Sequence, residues 1–185
     1  MSIDLDAPTE LDVVTPRDAK SESWANGLGV TRVLAKTLAW RLSIAELRGR
    51  MPFSQLGGMD RILIPLSSQP LRLTIDGIEH QVSRDEGIRF RGESRVVASV
   101  DRGGVSVVNL MVRRTLAEAK CDIRAHRDRV PVSPSTTVTV LLSGSATVDD
   151  LPLPPGSALL QTARPRSILC ESALIARFEI APVTA

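Results

Sequence analysis

Arginine and amide side chains supply the clearest chemistry in this sequence. The guanidinium groups of Arg41 and Arg61, and a third from Arg32, can each hold a carboxylate through two parallel hydrogen bonds. Neutral donors and acceptors come from four further residues, Asn26, Thr31, Ser43 and Asn109. Together these residue types predict a site that recognises a small anion or amide through hydrogen bonds.

Most of these residues also have a purely structural interpretation. Arg61 can pair with Asp60 or Glu46 at the surface, and Arg41 can lie along a solvated face of a sheet. Asn26 stands beside a glycine and can bond its own backbone in a turn. The sequence leaves both interpretations open for each of them.

Asn109 is the residue for which a role in a pocket is favoured. It lies within the strongly apolar run 105–112, on the face shared by Val105, Val107 and Met111. Asparagine is disfavoured in strands, and a buried amide needs a hydrogen-bond partner. A bound ligand is one way to supply that partner.

The sequence contains no pattern of residues typical of a metal site or a cofactor site. A catalytic metal needs several histidines and a carboxylate, whereas His80 and His126 are isolated from one another. Cys121 and Cys170 match no zinc or redox spacing, and no G-x-S-x-G sequence marks a nucleophile. We therefore expect no metal, no cofactor and no assignable catalytic residue.

The elements that must position the polar residues are strands. From Trp40 to Ala45 apolar and polar residues alternate, which places Trp40 on a core face and Arg41 with Ser43 on a polar face. Short β-rich runs with Gly and Pro turns continue along the chain, and segments 62–111 and 136–180 repeat the same order of runs and turns. The pattern predicts an all-β fold with a pair of small jelly-roll barrels. One short helical turn is expected at 116–120, within a charged stretch.

Composition narrows the class of partner. The chain has 185 residues, a net charge of +2 and an aromatic content of 3% with no tyrosine, which argues against nucleic acid. No apolar run reaches the length of a membrane span, and residues 1–16 lack the features of a signal peptide. We expect a cytoplasmic protein that contacts no membrane.

Five motifs follow one another in the first two thirds of the chain. They are W-A-N-G-L-G-V-T-R at Trp24–Arg32, W-R-L-S-I-A at Trp40–Ala45, P-F-S-Q-L-G-G-M-D-R at Pro52–Arg61, F-R-G-E at Phe90–Glu93 and N-L-M at Asn109–Met111. In this order they resemble the motifs of the HutD/Ves family of small bicupin proteins. Four positions depart from the family pattern and bear on the shape of the pocket: Ala25, Leu28, Gly57 and Val108.

The resemblance implies two cupin-like barrels (jelly-roll, double-stranded β-helix) in one compact unit. The halves would span about 1–115, which carries the motifs, and 116–185. It also implies an association with histidine utilisation, in which HutD looks like a regulatory or ligand-sensing component. Intermediates of that pathway are small acids such as urocanate and formylated glutamate. The favoured interpretation is a metal-free protein that binds a small carboxylate, clamped by Arg41 and Arg61.

Two alternatives stay open. The first is an enzyme of unknown chemistry that uses Glu46, Glu93 or Asp60 as a general base in the N-terminal barrel. The second is a protein-interaction module. Pairing of two chains through their sheets into a homodimer is a further expectation, which rests on analogy alone.

Overall fold

The computed structural model describes residues 13–24, 27–131, 137–160 and 167–184. These residues contain no helix, and so none that could cross a membrane; their regular structure is entirely strand. In chain order the strands are β1 (Val13–Val14), β2 (Lys20–Ser23), β3 (Val30–Lys36), β4 (Trp40–Pro52), β5 (Met59–Pro65), β6 (Leu71–Ile75), β7 (Ile78–Val82), β8 (Ile88–Arg91), β9 (Val96–Arg113), β10 (Ala117–His126), β11 (Arg129–Pro131), β12 (Val138–Val148), β13 (Leu151–Leu153), β14 (Ala158–Leu160) and β15 (Ser167–Pro182). The all-β prediction is confirmed.

The strands form two antiparallel sheets. The N-terminal sheet has the order β2-β3-β4-β9-β5-β8, with β6 paired to β9 and β7 paired to β6. The C-terminal sheet has the order β1-β14-β12-β15-β10, with β11 on β15 and β13 on β12. The division expected near residue 115 falls between β9 and β10, whereas β1 joins the second sheet by pairing with β14.

The helical turn expected at 116–120 is wrong. Strand β10 pairs with β15 along its whole length, from Ala117 opposite Pro182 to His126 opposite Ala173. The side chains of Ala117 and Ala119 are buried, while Glu118 between them is exposed, which is the period of a strand. Alanine favours a helix locally, but ten paired residues of sheet override that weak preference.

Apolar side chains form three clusters. One lies between the sheets and includes Trp40, Leu42 and Leu110 from the first sheet with Val140 and Phe178 from the second. A second cluster lies within the N-terminal half and a third within the C-terminal half. Each sheet therefore packs one face against the other sheet and closes its second face over its own apolar interior.

Strands β4 and β9 form the central pair of the N-terminal sheet, in a register that runs from Trp40 opposite Val112 to Pro52 opposite Val97. As the sequence alternation predicts, Trp40 faces the core between the sheets and Arg41 faces away from it. The face expected to be merely polar is itself enclosed, because Ser43 and Ala45 on it are buried. This enclosed face forms one wall of a cavity.

Candidate functional site

A cavity of about 220 Å³ opens inside the N-terminal half. Its lining comes from strands β2, β3, β4, β5 and β9, from Trp24 and from the loop of residues 53–58. Its lining residues are Ser23, Trp24, Thr31, Arg41, Ala45, Leu47, Phe53, Ser54, Leu56, Arg61, Leu63, Val107, Asn109 and Met111. Four of the seven residues predicted to bind a ligand are among them, and none of the lining residues is acidic.

Arg61 is a buried cation that lies against two aromatic rings. Its guanidinium carbon lies 5.0 Å from the ring centroids of both Phe53 and Phe90. Its side chain is only 5% exposed; Nη1 lies 3.5 Å from the backbone oxygen of Ser54, and Nε has no partner. Burial, and then the charge of Arg41, lower the pKa of Arg61 to about 10, so the group stays charged at neutral pH.

The surface pairing considered for Arg61 is wrong. Asp60 instead accepts a hydrogen bond from Nε of Arg114 at 3.0 Å, and Glu46 forms a 2.7 Å ion pair with Arg48. Asp60 and Arg61 are neighbours on β5, so their side chains leave opposite faces of the strand. Within the described chain, Arg61 has no carboxylate partner.

Arg41 lies nearer the mouth of the cavity. Its side chain is 24% exposed, and Nη1 lies 3.2 Å from Oε2 of Glu22 on β2. Nε of Arg41 is buried and unpartnered. Arg41 and Arg61 both line this cavity, and the charge of Arg41 contributes to the lowered pKa of Arg61. Arg41 therefore borders the cavity and does not lie along an open sheet face.

Ser43 and Asn109 face one another across the β4–β9 pair. Ser43 is fully buried and its hydroxyl donates to the backbone oxygen of Asn109 at 3.3 Å, so it supports the wall without lining the cavity. Asn109 lines the cavity and is buried, and its Oδ1 has no hydrogen-bond partner among the described residues. An unpartnered buried amide oxygen is costly, by about 1–3 kcal/mol, which marks this position as poised for a partner.

Thr31 lines the cavity next to Trp24 and is hydrogen-bonded to its indole ring. Nε1 of Trp24 donates to Oγ1 of Thr31 at 2.8 Å. The Trp24 ring also meets Phe53 edge to face, with centroids 5.5 Å apart. The Thr31 hydroxyl accepts in this contact and keeps its own proton to donate.

The structure does not bring Arg32 to this cavity. It follows Thr31 on β3 and therefore leaves the opposite face, where Nη1 donates to the backbone oxygen of Pro16 at 3.3 Å. There it lines a separate, wider groove of about 690 Å³. Asn26, the remaining predicted residue, lies outside the described residues.

Aromatic and acidic residues at the site were not assigned roles from the sequence. Phe53 and Phe90, which contact the guanidinium of Arg61, belong to the five sequence motifs, as does Trp24, so the motifs carry a signal for them. Leu56 lines the cavity from the loop that follows Phe53. Glu22 lies in an unremarkable polar stretch, and no local pattern pointed to it.

None of the three candidate general bases lines the cavity. Glu93 accepts hydrogen bonds from Arg114 at 3.1 Å and from the backbone N–H of Gly58 at 2.7 Å. These contacts lower the pKa of Glu93 to about 2, which makes its carboxylate a weak base at neutral pH. Asp60 and Glu46 are held by arginines, as described above. Within the described ranges, no three His, Cys, Asp or Glu side chains converge as a metal ion would require.

Comparison with known sequences identifies relatives along most of the chain. The family model HutD matches residues 16–173. Protein Ves of Citrobacter koseri is 29% identical over 135 residues, which cover 69% of this chain and 70% of that protein. An uncharacterised 21.2 kDa protein in the hutC 3′ region of Pseudomonas putida is 30% identical over 114 residues, or 56% of this chain and 58% of the relative.

Solved structures share the fold. A conserved protein of unknown function from Pseudomonas aeruginosa superposes with a TM-score of 0.75 at 21% identity, and HutD from Pseudomonas fluorescens, in a formate condition, with 0.71 at 19%. Each alignment covers 93% of this chain and 98% of the other. A cupin 2 conserved barrel domain protein from Leptotrichia buccalis follows with 0.61 at 10% identity, covering 98% and 99%. The chain belongs to the HutD family, with Ves proteins among its relatives, and has a cupin-like all-β fold.

Proposed function

We propose that this protein binds a small carboxylate metabolite in the cavity of its N-terminal half, without a metal, and acts as a regulatory or ligand-sensing component of histidine utilisation. The observation that carries the proposal is Arg61. It is a charged, buried guanidinium that borders a cavity and has no carboxylate partner among the described residues.

A carboxylate ligand would resolve the electrostatics of this site. Burying a cation without a counter-ion is unfavourable, and here Arg41 adds a second positive charge. An anion near both guanidinium groups would stabilise each of them through short, charge-assisted hydrogen bonds. The Thr31 hydroxyl and the Asn109 amide border the same space and can complete the contacts.

The size and lining of the cavity favour a small ligand with an apolar part. Its volume of about 220 Å³ is below the range of about 300–1,000 Å³ typical of pockets for drug-sized ligands. Trp24, Leu56, Leu63 and Met111 supply apolar surface beside the arginines. Urocanate, which joins one carboxylate to an unsaturated ring system, meets both requirements. The family name and the relative encoded in a hutC 3′ region support the choice of pathway.

Thermal unfolding in the presence of urocanate, formylglutamate, glutamate and formate tests the proposal. A ligand that binds only the folded state stabilises it by about 2.7 kcal/mol at a hundred times its dissociation constant. We expect at least one acid to raise the melting temperature of the parent, with the shift lost in Arg61→Ala and reduced in Arg41→Ala. Arg32→Ala is the matched control, because Arg32 lies on the opposite face.

Two results would contradict the proposal. One is that the Arg61 and Arg41 variants fold normally and bind every acid as the parent does. The other is that no acid shifts the parent, which would favour the interaction-module alternative and direct the search to a protein partner. The enzymatic alternative gains no geometric support, since no carboxylate among the described residues lines the cavity.

A further inference from the structure

Glu22 lies beside the cavity, between two cations. It pairs with Thr31 across β2 and β3, so its side chain leaves the sheet on the cavity face. Oε2 lies 3.2 Å from Nη1 of Arg41, and Oε1 lies 3.5 Å from Nζ of Lys36. Lys36 itself pairs with Arg41 across β3 and β4, so all three charged groups share this face.

Exposure distinguishes the three members of this group. The side chain of Arg41 is 24% exposed, that of Glu22 38% and that of Lys36 58%. The group therefore runs from the cavity wall to the solvent. Of the described carboxylates, Glu22 is the one that forms an ion pair with an arginine of the cavity.

Arg61, the more buried cation, and Arg41, the more exposed one, differ in their partners. Arg61 has aromatic rings beside it and no acid, so its charge is available to a ligand. Arg41 already forms an ion pair with the carboxylate of Glu22 through Nη1. A ligand with one carboxylate can reach Arg61 without disturbing this arrangement. A ligand whose second carboxylate extends from Arg61 toward Arg41 would bring that group close to Glu22, the carboxylate that Arg41 already contacts.

We propose that Glu22 is a specificity-determining residue, a built-in counter-ion that makes the cavity select monocarboxylates over dicarboxylates. The inference rests on the proposed function and names the class of acid that the site takes. The physical basis is repulsion: two carboxylates that compete for one cation disfavour each other, and a repulsive group is an effective way to reject a close analogue.

Isothermal titration at low ionic strength with butyrate and succinate tests this role. Both acids have four carbons, and they differ in the second carboxylate. We expect the parent to bind butyrate more tightly than succinate. Glu22→Gln should shift the ratio of the two dissociation constants toward succinate by about tenfold, because it removes one unit of opposing charge.

Two further variants separate charge from structure. Glu22→Asp keeps the carboxylate and should keep the preference for butyrate. Glu46→Gln removes one negative charge from the opposite face of the same sheet and should leave the ratio unchanged. A general change in net charge or in stability would affect the Glu46 variant as much as the Glu22 variant.

The outcomes are distinct. Acid binding with an equal preference in the parent, or with a ratio that Glu22→Gln does not change, overturns the role of Glu22 and leaves the proposed function standing. Binding of neither acid to the parent counts against both the proposed function and this inference. A tenfold shift confined to Glu22→Gln establishes the role.

Discussion

The guanidinium carbon of Arg61 lies 5.0 Å from the centroid of the Phe53 ring. This buried cation therefore rests on an aromatic ring where it lines the cavity. Phe90 supplies a second ring at the same distance. An aromatic face attracts a cation but does not neutralise it, in contrast to a carboxylate. The charge of Arg61 is thus stabilised in place and remains available to an incoming anion.

Arg61→Met is expected to stabilise the ligand-free protein while it abolishes acid binding. The lowered pKa of Arg61 corresponds to a cost of about 3 kcal/mol for holding the charge in the folded state, of which the two rings return about 1–2 kcal/mol. A neutral side chain of similar length avoids this cost, so the free energy of unfolding should rise by about 1–2 kcal/mol. Urea unfolding measures the change.

The comparison variant for this prediction is Arg61→Ala. It removes the charge but also leaves a hole beside Phe53 and Phe90, which we expect to cost about 2–3 kcal/mol relative to methionine. If methionine destabilised the protein as strongly as alanine, the charge of Arg61 would be a stabilising element, contrary to this prediction.

Acid binding should decline above about pH 10. Because the pKa of Arg61 is lowered to about 10, the folded ligand-free protein loses this proton there, whereas the unfolded chain keeps it to higher pH. Affinity for a carboxylate is therefore flat below pH 10 and falls by up to tenfold per pH unit above it. The same difference makes this group's contribution to stability increase with pH above 10.

Titrations of formate or urocanate between pH 8 and 11 measure this effect. Arg41→Ala should move the decline to higher pH, since the charge of Arg41 is the second cause of the lowered pKa of Arg61. An affinity that falls already between pH 8 and 9 would assign the decline to a group other than Arg61.

Glu93→Gln should reduce the loss of stability in acid. Hydrogen bonds from Arg114 and from the Gly58 N–H lower the pKa of Glu93 to about 2 in the folded state, well below that of an unfolded glutamate. Its stabilising contribution is complete above the unfolded value and is lost as the pH falls toward 2. Urea midpoints at pH 7 and pH 3 should differ less in Glu93→Gln than in the parent.

A control for this prediction is Glu118→Gln, an exposed glutamate on β10 of the other sheet, which should leave the pH dependence unchanged. An equal effect of the two substitutions would show that overall charge, and not the contact between Glu93 and Arg114, determines the acid response.

Gly92→Ala should destabilise the protein by about 2–4 kcal/mol and weaken acid binding. A Cβ at this position would lie 2.2 Å from the backbone oxygen of Leu56 and 3.0 Å from that of Met59. Both are backbone atoms, and Gly92 also exchanges 2.7 Å backbone hydrogen bonds with the same two residues. The loop that carries Leu56 into the cavity must therefore move.

Gly57→Ala provides the matched control, because Gly57 follows Leu56 in the loop of residues 53–58. A Cβ there would meet no atom within 4 Å, and the φ of Gly57 does not lie in the left-handed region. We expect a change within about 0.5 kcal/mol and unchanged binding. Calorimetric unfolding and acid titration of both variants measure the difference, and equal losses in the two would contradict the assigned contact.

The alternation of polar and apolar side chains along β4 was predictable, because the two-residue period of a strand is a local property. Arg41 and Ser43 share one face and Trp40 the other, as expected. What the alternation could not indicate is that both faces are enclosed, since the sheet closes over its second face only when loop 53–58 packs on it. The alternation alone therefore leaves open whether Arg41 lies along a solvated face or in the wall of a cavity, and the structure places it in the wall.

Arg61 and Glu22 show why ionic partners are harder to predict than faces. Asp60 stands next to Arg61 in the sequence, but neighbours on a strand point apart, so adjacency was misleading. Glu22 reaches Arg41 through the pairings of β2 with β3 and β3 with β4, whose registers no short motif encodes. Nonlocal registers decide both cases.

Alternate residues of strand β9 belong to two separate surfaces. Val108, Leu110 and Val112 pack between the sheets, whereas Asn109 and Met111 border the cavity. Substitutions at one set of alternate positions can change which acid is recognised while the contact between the halves stays intact. Ligand preference and architecture can therefore diverge independently during evolution within a single strand, so relatives that share this fold need not share one metabolite.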